Sequence, residues 1–373
     1  MKILIDLTSL ADNFSGIERY AACLTREMIS ECKHNYILVF KNQVHPMFEK
    51  YNVYANIKIV VIPGCNKVWF NQVRLPIEIY KYKADCYLFM AFPIPVLLFR
   101  KNMISTIHDI CCWDCPETMN GLSDWYFRIS HYVALKKCKR IITISKFSKE
   151  RIITRLKYPE EKIWLIYCGI DEKFVSYHRT GENDLAVRKK YGLPDKYILS
   201  LSTLEPRKNT ELLVKTYSEL VEENRVSYPL VLAGRKGWKM DNLLSGISNI
   251  AKEKILFTGF IDDEDLPAVY ANANLFVFPS RYEGFGMPPL EAIACGTRVL
   301  SSDASSLPEV LGDTANYFEN QNKDDFKEKI LLCINESNVN EMKHKSDYVN
   351  QVKMFDWKVE AVKLLEKIEE VVN

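Results

Sequence analysis

The sequence is poor in the features that would take it out of the folded globular class. Glycine (14) and proline (15) are sparse and scattered among 373 residues, which excludes collagen-like, low-complexity and disordered chains. Long hydrophobic runs are missing. The longest, residues 87–99, is too short for a bilayer-spanning helix and contains Pro93 and Pro95. Charge of one sign is missing too: 50 Lys and Arg stand against 48 Asp and Glu, so no dedicated nucleic-acid surface is expected. The Gly-x-Gly-x-x-Gly fingerprint is absent where it would count. The loop after the first apolar run, Asn13-Phe14-Ser15-Gly16-Ile17-Glu18-Arg19-Tyr20, has Gly16 alone, which argues against a nicotinamide enzyme.

Met1-Lys2 leads straight into Ile3-Leu4-Ile5-Asp6-Leu7, so no secretory leader is expected. The 11 cysteines are odd in number, and most sit inside apolar runs. They read as reduced thiols of a cytoplasmic protein, used as small hydrophobes.

What is present is a mix of 47% hydrophobic and 26% charged residues, with 12% aromatics. At about 150 residues per domain the length predicts two domains. Short apolar runs at 3–7, 37–40, 57–62, 86–90, 104–107 and 141–144 read as buried strands. Helical patterns at 16–31, 69–82, 122–139 and 146–156 separate several of them. The pattern restarts with strands at 197–201, 230–233, 255–257, 275–278, 298–301 and 316–318, and helices at 210–223, 263–270, 289–294 and 323–334. Continuous apolar strands alternating with helices predict parallel sheets covered on both faces. The fold class is therefore α/β, two doubly wound domains. The polar stretch within 174–195 reads as the linker, giving domains 1–175 and 176–354. The final helical pattern, 357–372, has apolar residues at Val359, Val362, Leu365, Ile368 and Val372. Two such domains facing each other would form a cleft, lined by loops at the carboxyl ends of strands.

Four such loops carry chemistry. The richest is Phe278-Pro279-Ser280-Arg281-Tyr282-Glu283-Gly284-Phe285-Gly286-Met287-Pro288-Pro289-Leu290-Glu291. Pro288 and Pro289 lack amide protons, so the donors at this helix start come from about Gly284 to Met287, an anion site. Glu283 and Glu291 would repel a phosphate and suit sugar and ribose hydroxyls instead. A tight strand–helix turn with a polar cap fits the spacing equally well. In Leu204-Glu205-Pro206-Arg207-Lys208-Asn209, Asn209 reads as a helix cap. Arg207 and Lys208 could grip phosphate oxygens as a fork and a point charge. The third loop is the one holding Gly16. The fourth, Thr106-Ile107-His108-Asp109, ends a strand with a histidine next to a carboxylate.

Three patterns are set aside. Asp263-Glu264-Asp265 reads as an acidic first turn capped by Asp262 and not as a metal site. Cys111-Cys112-Trp113-Asp114-Cys115, near His108, lacks a second ligand pair for zinc. Lys136, Lys137, Lys139 and Arg140 read as a solvated helix end, with anionic lipid headgroups as the other occupant.

Together these residues resemble the retaining family 4 glycosyltransferases of the GT-B fold. The densest match runs from Phe257-Thr258-Gly259-Phe260 through Glu283 and Glu291-Ala292-Ile293-Ala294-Cys295-Gly296-Thr297 to Ser305-Ser306-Leu307-Pro308-Glu309-Val310. The family's paired glutamates are similar to Glu283 and Glu291. The resemblance implies that Glu283 contacts donor-sugar hydroxyls and Glu291 holds the nucleotide ribose. It implies that Arg207 and Lys208 neutralise the diphosphate and that Phe285, Gly286 and Met287 offer loop amides. Gly16 would close over the diphosphate, His108 would sit near the donor sugar, and Thr203, Gly259 and Phe260 would complete donor binding. Glu283, His108, Arg207 and Lys208 are the implied catalytic set, with no metal or cofactor.

The resemblance further implies an acceptor-side first domain, a nucleotide-sugar-binding second domain, and a helix within 355–373 that crosses back to the first. Ser202-Thr203 stands where many members carry Gly-Arg, so one phosphate-binding arginine is absent. The motif wording is similar to that of bacterial mannosyltransferases of surface-polysaccharide (O-antigen or capsule) assembly. That implies a nucleotide-sugar donor, best matched by GDP-mannose, and a glycan or lipid-linked oligosaccharide acceptor. Donors such as dTDP-rhamnose, UDP-glucose and UDP-N-acetylhexosamine stay open, as do a sugar-nucleotide epimerase and a silent binding protein. Work at the inner face of the cell membrane would fit the aromatic stretches Trp69-Phe70 and Trp125-Tyr126-Phe127, which core packing explains equally well.

Overall fold

A computed structural model describes residues 1–10, 16–64, 66–91, 94–119, 121–179, 181–235, 237, 242–335 and 341–372, with the backbone alone at 67, 122 and 341–345. Asn13, Phe14, Ser15 and Cys65 lie outside the described residues. The chain divides into two compact units. One comprises Met1–Asp114, Gly121–Gly169 and Asp356–Asn373; the other comprises Cys115–Asn120 and Ile170–Phe355.

The first unit holds a seven-stranded parallel sheet, β1 (Lys2–Asp6), β2 (Asn35–Lys41), β3 (Ile57–Ile62), β4 (Cys86–Phe89), β5 (Met103–Thr106), β6 (Arg140–Thr143) and β7 (Ile163–Leu165). Their order is β3-β2-β1-β4-β5-β6-β7. Strands β1, β4 and β5 have almost no exposed side chains, because helices cover both faces. β7 is the strand the sequence pattern missed. It has three residues and lies at the sheet edge, where no long apolar run is needed.

The second unit holds six parallel strands, β8 (Ile198–Leu201), β9 (Leu230–Ala233), β10 (Ile255–Gly259), β11 (Leu275–Phe278), β12 (Val299–Ser302) and β13 (Asn316–Phe318). Their order is β10-β9-β8-β11-β12-β13. Sequence order therefore reverses between β8 and β11, the place where open α/β sheets bind ligands.

The stretch read as a linker is helical instead. Helices Glu172–Val175 and Gly181–Tyr191 occupy it, burying Phe174 and Val187. The second of these packs against the helix Leu266–Ala271. Lys190 Nζ bonds Asp262 and Asp265 at 2.7 and 2.6 Å. This corrects the capping role expected for Asp262. The following helix begins only at Leu266, and Asp265 at its cap makes no side-chain capping bond. The acids answer a lysine from another helix, a long-range pairing that local spacing does not encode.

The final helix, Trp357–Val372, lies in the first unit and packs against the helix Gly16–Ser30, with the Tyr20 and Trp357 rings 5.9 Å apart. Its buried face is Trp357, Ala361, Leu364, Leu365 and Ile368, while Val359 is exposed. Where it begins, a Cβ on Gly169 would stand 2.4 Å from the Trp357 amide nitrogen, so only glycine permits this approach.

Among the described residues, no helix is long and apolar enough to cross a membrane, and no two cysteines there are joined in a disulfide.

Candidate active site

Two loops at the reversal point of the second sheet build the site. After β8 the chain runs through Ser202–Glu205 into the short turn Pro206–Lys208. Asn209 follows in the left-handed region (φ 56°), and then the helix Thr210–Glu222. Asn209 was expected to cap that helix. Its side chain makes no capping bond, and Oδ1 instead accepts from Arg281 Nε at 3.2 Å. Asparagine serves here by tolerating positive φ. After β11, residues 279–285 form the second loop. Gly286 (φ 101°) then opens the helix Met287–Ala294.

The loops are strapped together by one bond between backbones and one from a side chain to a backbone. Arg281 N donates to Arg207 O at 2.8 Å, and Arg207 Nη1 donates to Tyr282 O at 2.8 Å. Serines fix the second loop from the far side. Glu283 N donates to Ser305 Oγ at 2.7 Å, and the Ser306 hydroxyl lies 3.0 Å from both the Glu283 and Phe285 carbonyl oxygens, which share its one proton.

This scaffold brings Glu283, Arg207 and Lys208 into one cluster. Lys208 Nζ lies 2.6 Å from Glu283 Oε1, and Arg207 Nη1 lies 3.1 Å from Glu283 Oε2. Ser280 Oγ donates to Glu283 Oε1 at 2.5 Å. Glu205, buried, accepts from Arg207 Nε and Nη2 at 3.0 and 2.9 Å. Burial raises the Glu283 carboxyl, but Lys208 and Arg207 outweigh it and hold it below the usual carboxylate value. Burial, joined by Arg207, lowers Lys208 against the pull of Glu283. The sequence had suggested Glu283 only as an acceptor for hydroxyls. In a water-poor site an uncompensated carboxylate is costly, so it takes the two nearest cations.

Glu291 is buried a turn into the helix Met287–Ala294, and its Oε2 accepts from the Tyr270 hydroxyl at 2.9 Å. Tyr270 is itself clamped by Thr297 Oγ1 on its carbonyl at 2.6 Å. Phe285 is buried edge-on to Phe355 with centroids 5.3 Å apart. A Cβ on Gly286 would meet Leu307 Cδ2 at 2.6 Å, so the turn needs glycine. Met287 starts the helix and is nearly buried. Gly259 (φ 71°) ends β10 and accepts from Gly234 N at 2.7 Å. Phe260 lies under the Arg235 guanidinium at 4.8 Å. Thr203 is exposed between β8 and the Pro206 turn.

His108 and Gly16 belong to the first unit. His108 Nε2 donates to Met90 O at 2.8 Å, and its ring meets Tyr20 edge-on at 5.1 Å. Burial lowers its pKa, although the Met90 carbonyl and Asp109 oppose this. Gly16 is the exposed first residue of the helix Gly16–Ser30 rather than a loop residue. In the cysteine-rich stretch, Cys112 Sγ lies 3.6 Å from His131 Nδ1. Among the described residues no three His, Cys, Asp or Glu side chains group as metal ligands.

Sequence reasoning gave no role to Glu205, Ser280 or Tyr270. Glu205 stood inside the quoted motif, and its position two residues before Arg207 was the available signal. Tyr270 gave none, since its bond to Glu291 spans 21 residues between separate helices.

Two family models match the chain, "Glycosyltransferase Family 4" over residues 14–174 and "Glycosyl transferases group 1" over residues 184–351. An O-antigen chain mannosyltransferase B of Escherichia coli is 35% identical over 292 residues, 76% of this chain and 75% of that one. A serotype-specific mannosyltransferase WbdA of Escherichia coli is 36% identical over 50% of this chain and 23% of its own, longer length. Among solved structures, WaaG, a glycosyltransferase involved in lipopolysaccharide biosynthesis, superimposes with a TM-score of 0.74 at 14% identity, over 98% of this chain and 99% of that one. Anabaena Alr3699/HepE, in complex with UDP and glucose, gives 0.73 at 16% identity, over 99% and 100%. With this sequence likeness and these two parallel α/β sheets, the chain belongs to the group 1, family 4 glycosyltransferases, of GT-B fold.

Proposed function

We propose that the protein is a retaining mannosyltransferase. In this reading it moves mannose from GDP-mannose to a glycan or lipid-linked oligosaccharide in surface-polysaccharide synthesis, in the cytoplasm. Support for the sugar comes from the likeness to the Escherichia coli O-antigen chain mannosyltransferase. One observation carries the chemistry: two cations and a glutamate lie within hydrogen-bond distance at the sheet's reversal point.

The leaving nucleoside diphosphate gains negative charge as the glycosidic bond breaks. Arg207, Lys208 and the start of the helix Met287–Ala294 would meet that charge with positions already fixed, which costs little reorganisation. Glu283 would bond donor-sugar hydroxyls, and Glu291 would bond the ribose. Phe285, Gly286, Met287, Thr203, Gly259 and Phe260 would line the donor. Family resemblance alone would add Gly16 and His108 to the donor-binding residues. The cluster's carboxylates, Glu283 and Glu205, are held by Lys208 and Arg207 and are not poised as nucleophiles, so in this reading the acceptor hydroxyl would attack from the leaving-group face. Its proton would pass to the departing phosphate oxygen.

The test is a panel of GDP-, UDP-, dTDP- and ADP-sugars, each with and without a glycan acceptor. The reading expects GDP-mannose to be turned over, with the product keeping the donor's anomeric configuration. Preference for dTDP-rhamnose, UDP-glucose or UDP-N-acetylhexosamine would replace the donor. Donor conversion without acceptor would mark an epimerase, and binding without conversion would mark a silent protein.

A further inference from the structure

Lys208 carries its charge on a long, flexible stem, so where the ammonium stands depends on how firmly its backbone is held. Its Nζ lies 2.6 Å from Glu283 Oε1 and 5.1 Å from the centre of the Phe278 ring. The turn beneath it is tied locally, by Lys208 N to Glu205 O at 3.0 Å and by Asn209 N to Pro206 O at 3.1 Å. Neither bond reaches the second loop, which carries Glu283.

One residue of that loop makes the connection. Arg281 N donates to Arg207 O at 2.8 Å, and Arg281 Nε donates to Asn209 Oδ1 at 3.2 Å. Arg281 therefore holds the residue before Lys208 and the residue after it. The usual partner of a half-buried arginine is an acid, and among the described residues Arg281 pairs with none. Its side-chain bond there goes to Asn209.

Asn209 is equally unusual. It precedes the helix Thr210–Glu222 and makes no capping bond. Its left-handed φ of 56° needs no amide either, since glycine adopts that conformation without steric cost. The amide is expensive here. Asn209 is 3% exposed, and its Nδ2 has no partner among the described residues. What the side chain contributes is Oδ1, the acceptor for Arg281.

This strap shares no atom with the groups that would exchange on binding. In the proposed reading a diphosphate takes the place of Glu283 at Lys208, and the lysine would then lose its carboxylate anchor. The bond from Arg281 to Asn209 is untouched by that exchange. It keeps the backbone on both sides of Lys208 in place, so the charge needs no reorganisation as it is used.

We propose that Arg281 and Asn209, through the bond between them, are positioning residues that fix Lys208 for a diphosphate. The inference rests on the reading of Lys208 as a phosphate-holding group and deepens it. Its test uses inorganic pyrophosphate, so it is decided separately from the sugar and base that the donor panel selects.

The full-length protein, N209G, N209D, R281K and N209G/R281K are titrated with pyrophosphate by calorimetry, with folding checked by circular dichroism and melting. N209G keeps the left-handed backbone and the Arg281 charge. R281K keeps the charge but puts a methylene where Nε stood. Each should weaken pyrophosphate about five-fold, and the double variant no further, because one bond is lost only once. N209D keeps the acceptor and should bind within about two-fold of the wild type. In K208M, whose remaining affinity rests on Arg207, adding R281K should change affinity by less than about two-fold, which a general loosening of the loops would not give. Losses that add in N209G/R281K, wild-type affinity in N209G, or a full R281K loss in K208M would overturn the proposal.

Discussion

Lys208 Nζ lies 2.6 Å from Glu283 Oε1, although 75 residues separate them in the chain. With Glu205 on Arg207, each cation of the cluster has an acid partner. In the proposed reading a diphosphate would enter by exchange, displacing Glu283 from Lys208 and releasing that carboxylate to sugar hydroxyls. Glu283→Gln should cut transfer by about 100-fold or more, the scale of losing one fixed charge partner in a transition state. Its affinity for free nucleoside diphosphate should hold or rise, because a competitor of the phosphate is gone. Calorimetry beside turnover checks both, and weaker diphosphate binding would refute the exchange. Glu283→Ala leaves Lys208 without its carboxylate partner, while Arg207 keeps Glu205, and should cost about 3–5 kcal/mol of stability.

Glu291 and Tyr270 act as a unit. Glu291→Ala should cripple transfer with the fold intact, and wild-type turnover at subsaturating donor would remove its role. Tyr270→Phe removes one hydroxyl donor to a buried carboxylate, worth about 1.5–3 kcal/mol. Its donor KM should rise by about ten-fold or more with kcat less affected, since the carboxylate is loosened and not lost.

Acid should destabilise the protein through His131. Burial holds its pKa at about 4, below the usual 6.5, with Asp109 opposing and His108 assisting. The unfolded chain therefore binds the proton first as pH falls. Stability is lost between about 6.5 and 4 and levels off below, by about 3 kcal/mol in all. His131→Phe should flatten that part of a plot of melting temperature against pH. An unchanged slope would assign the acid sensitivity elsewhere.

Chelation tests the charge argument. If Arg207, Lys208 and the helix start at Met287 meet the leaving-group charge, transfer should persist in EDTA. Strict dependence on added magnesium or manganese would contradict it.

Gly286→Ala should both strain the turn (φ 101°) and push a methyl group to 2.6 Å from Leu307 Cδ2. A stability loss above about 1 kcal/mol, read by denaturant titration, is expected together with reduced transfer.

Much of the fold was legible because buried parallel strands need unbroken apolar runs. β8, β9 and β11 appear in the sequence almost as they stand in the sheet. β7 escaped because three residues at an edge carry little pattern. The helix Gly181–Tyr191 escaped because it buries little, Asp184 and Val187, and so carries no apolar stripe to read. Of the cluster, Glu283, Arg207 and Lys208 were visible as residue types following strands. Their mutual pairing was not.

The amino-acid order by itself determined the alternation of strands and helices, the loops that follow each strand, and the resemblance to a family, since all three are local in the chain. Only the tertiary structure decided which charge meets which. β8 and β11 become neighbours across the sheet although 73 residues lie between their ends, and that adjacency carries Arg207 and Lys208 to Glu283. Low dielectric then makes pairing obligatory, a consequence of burial that no short stretch of sequence contains.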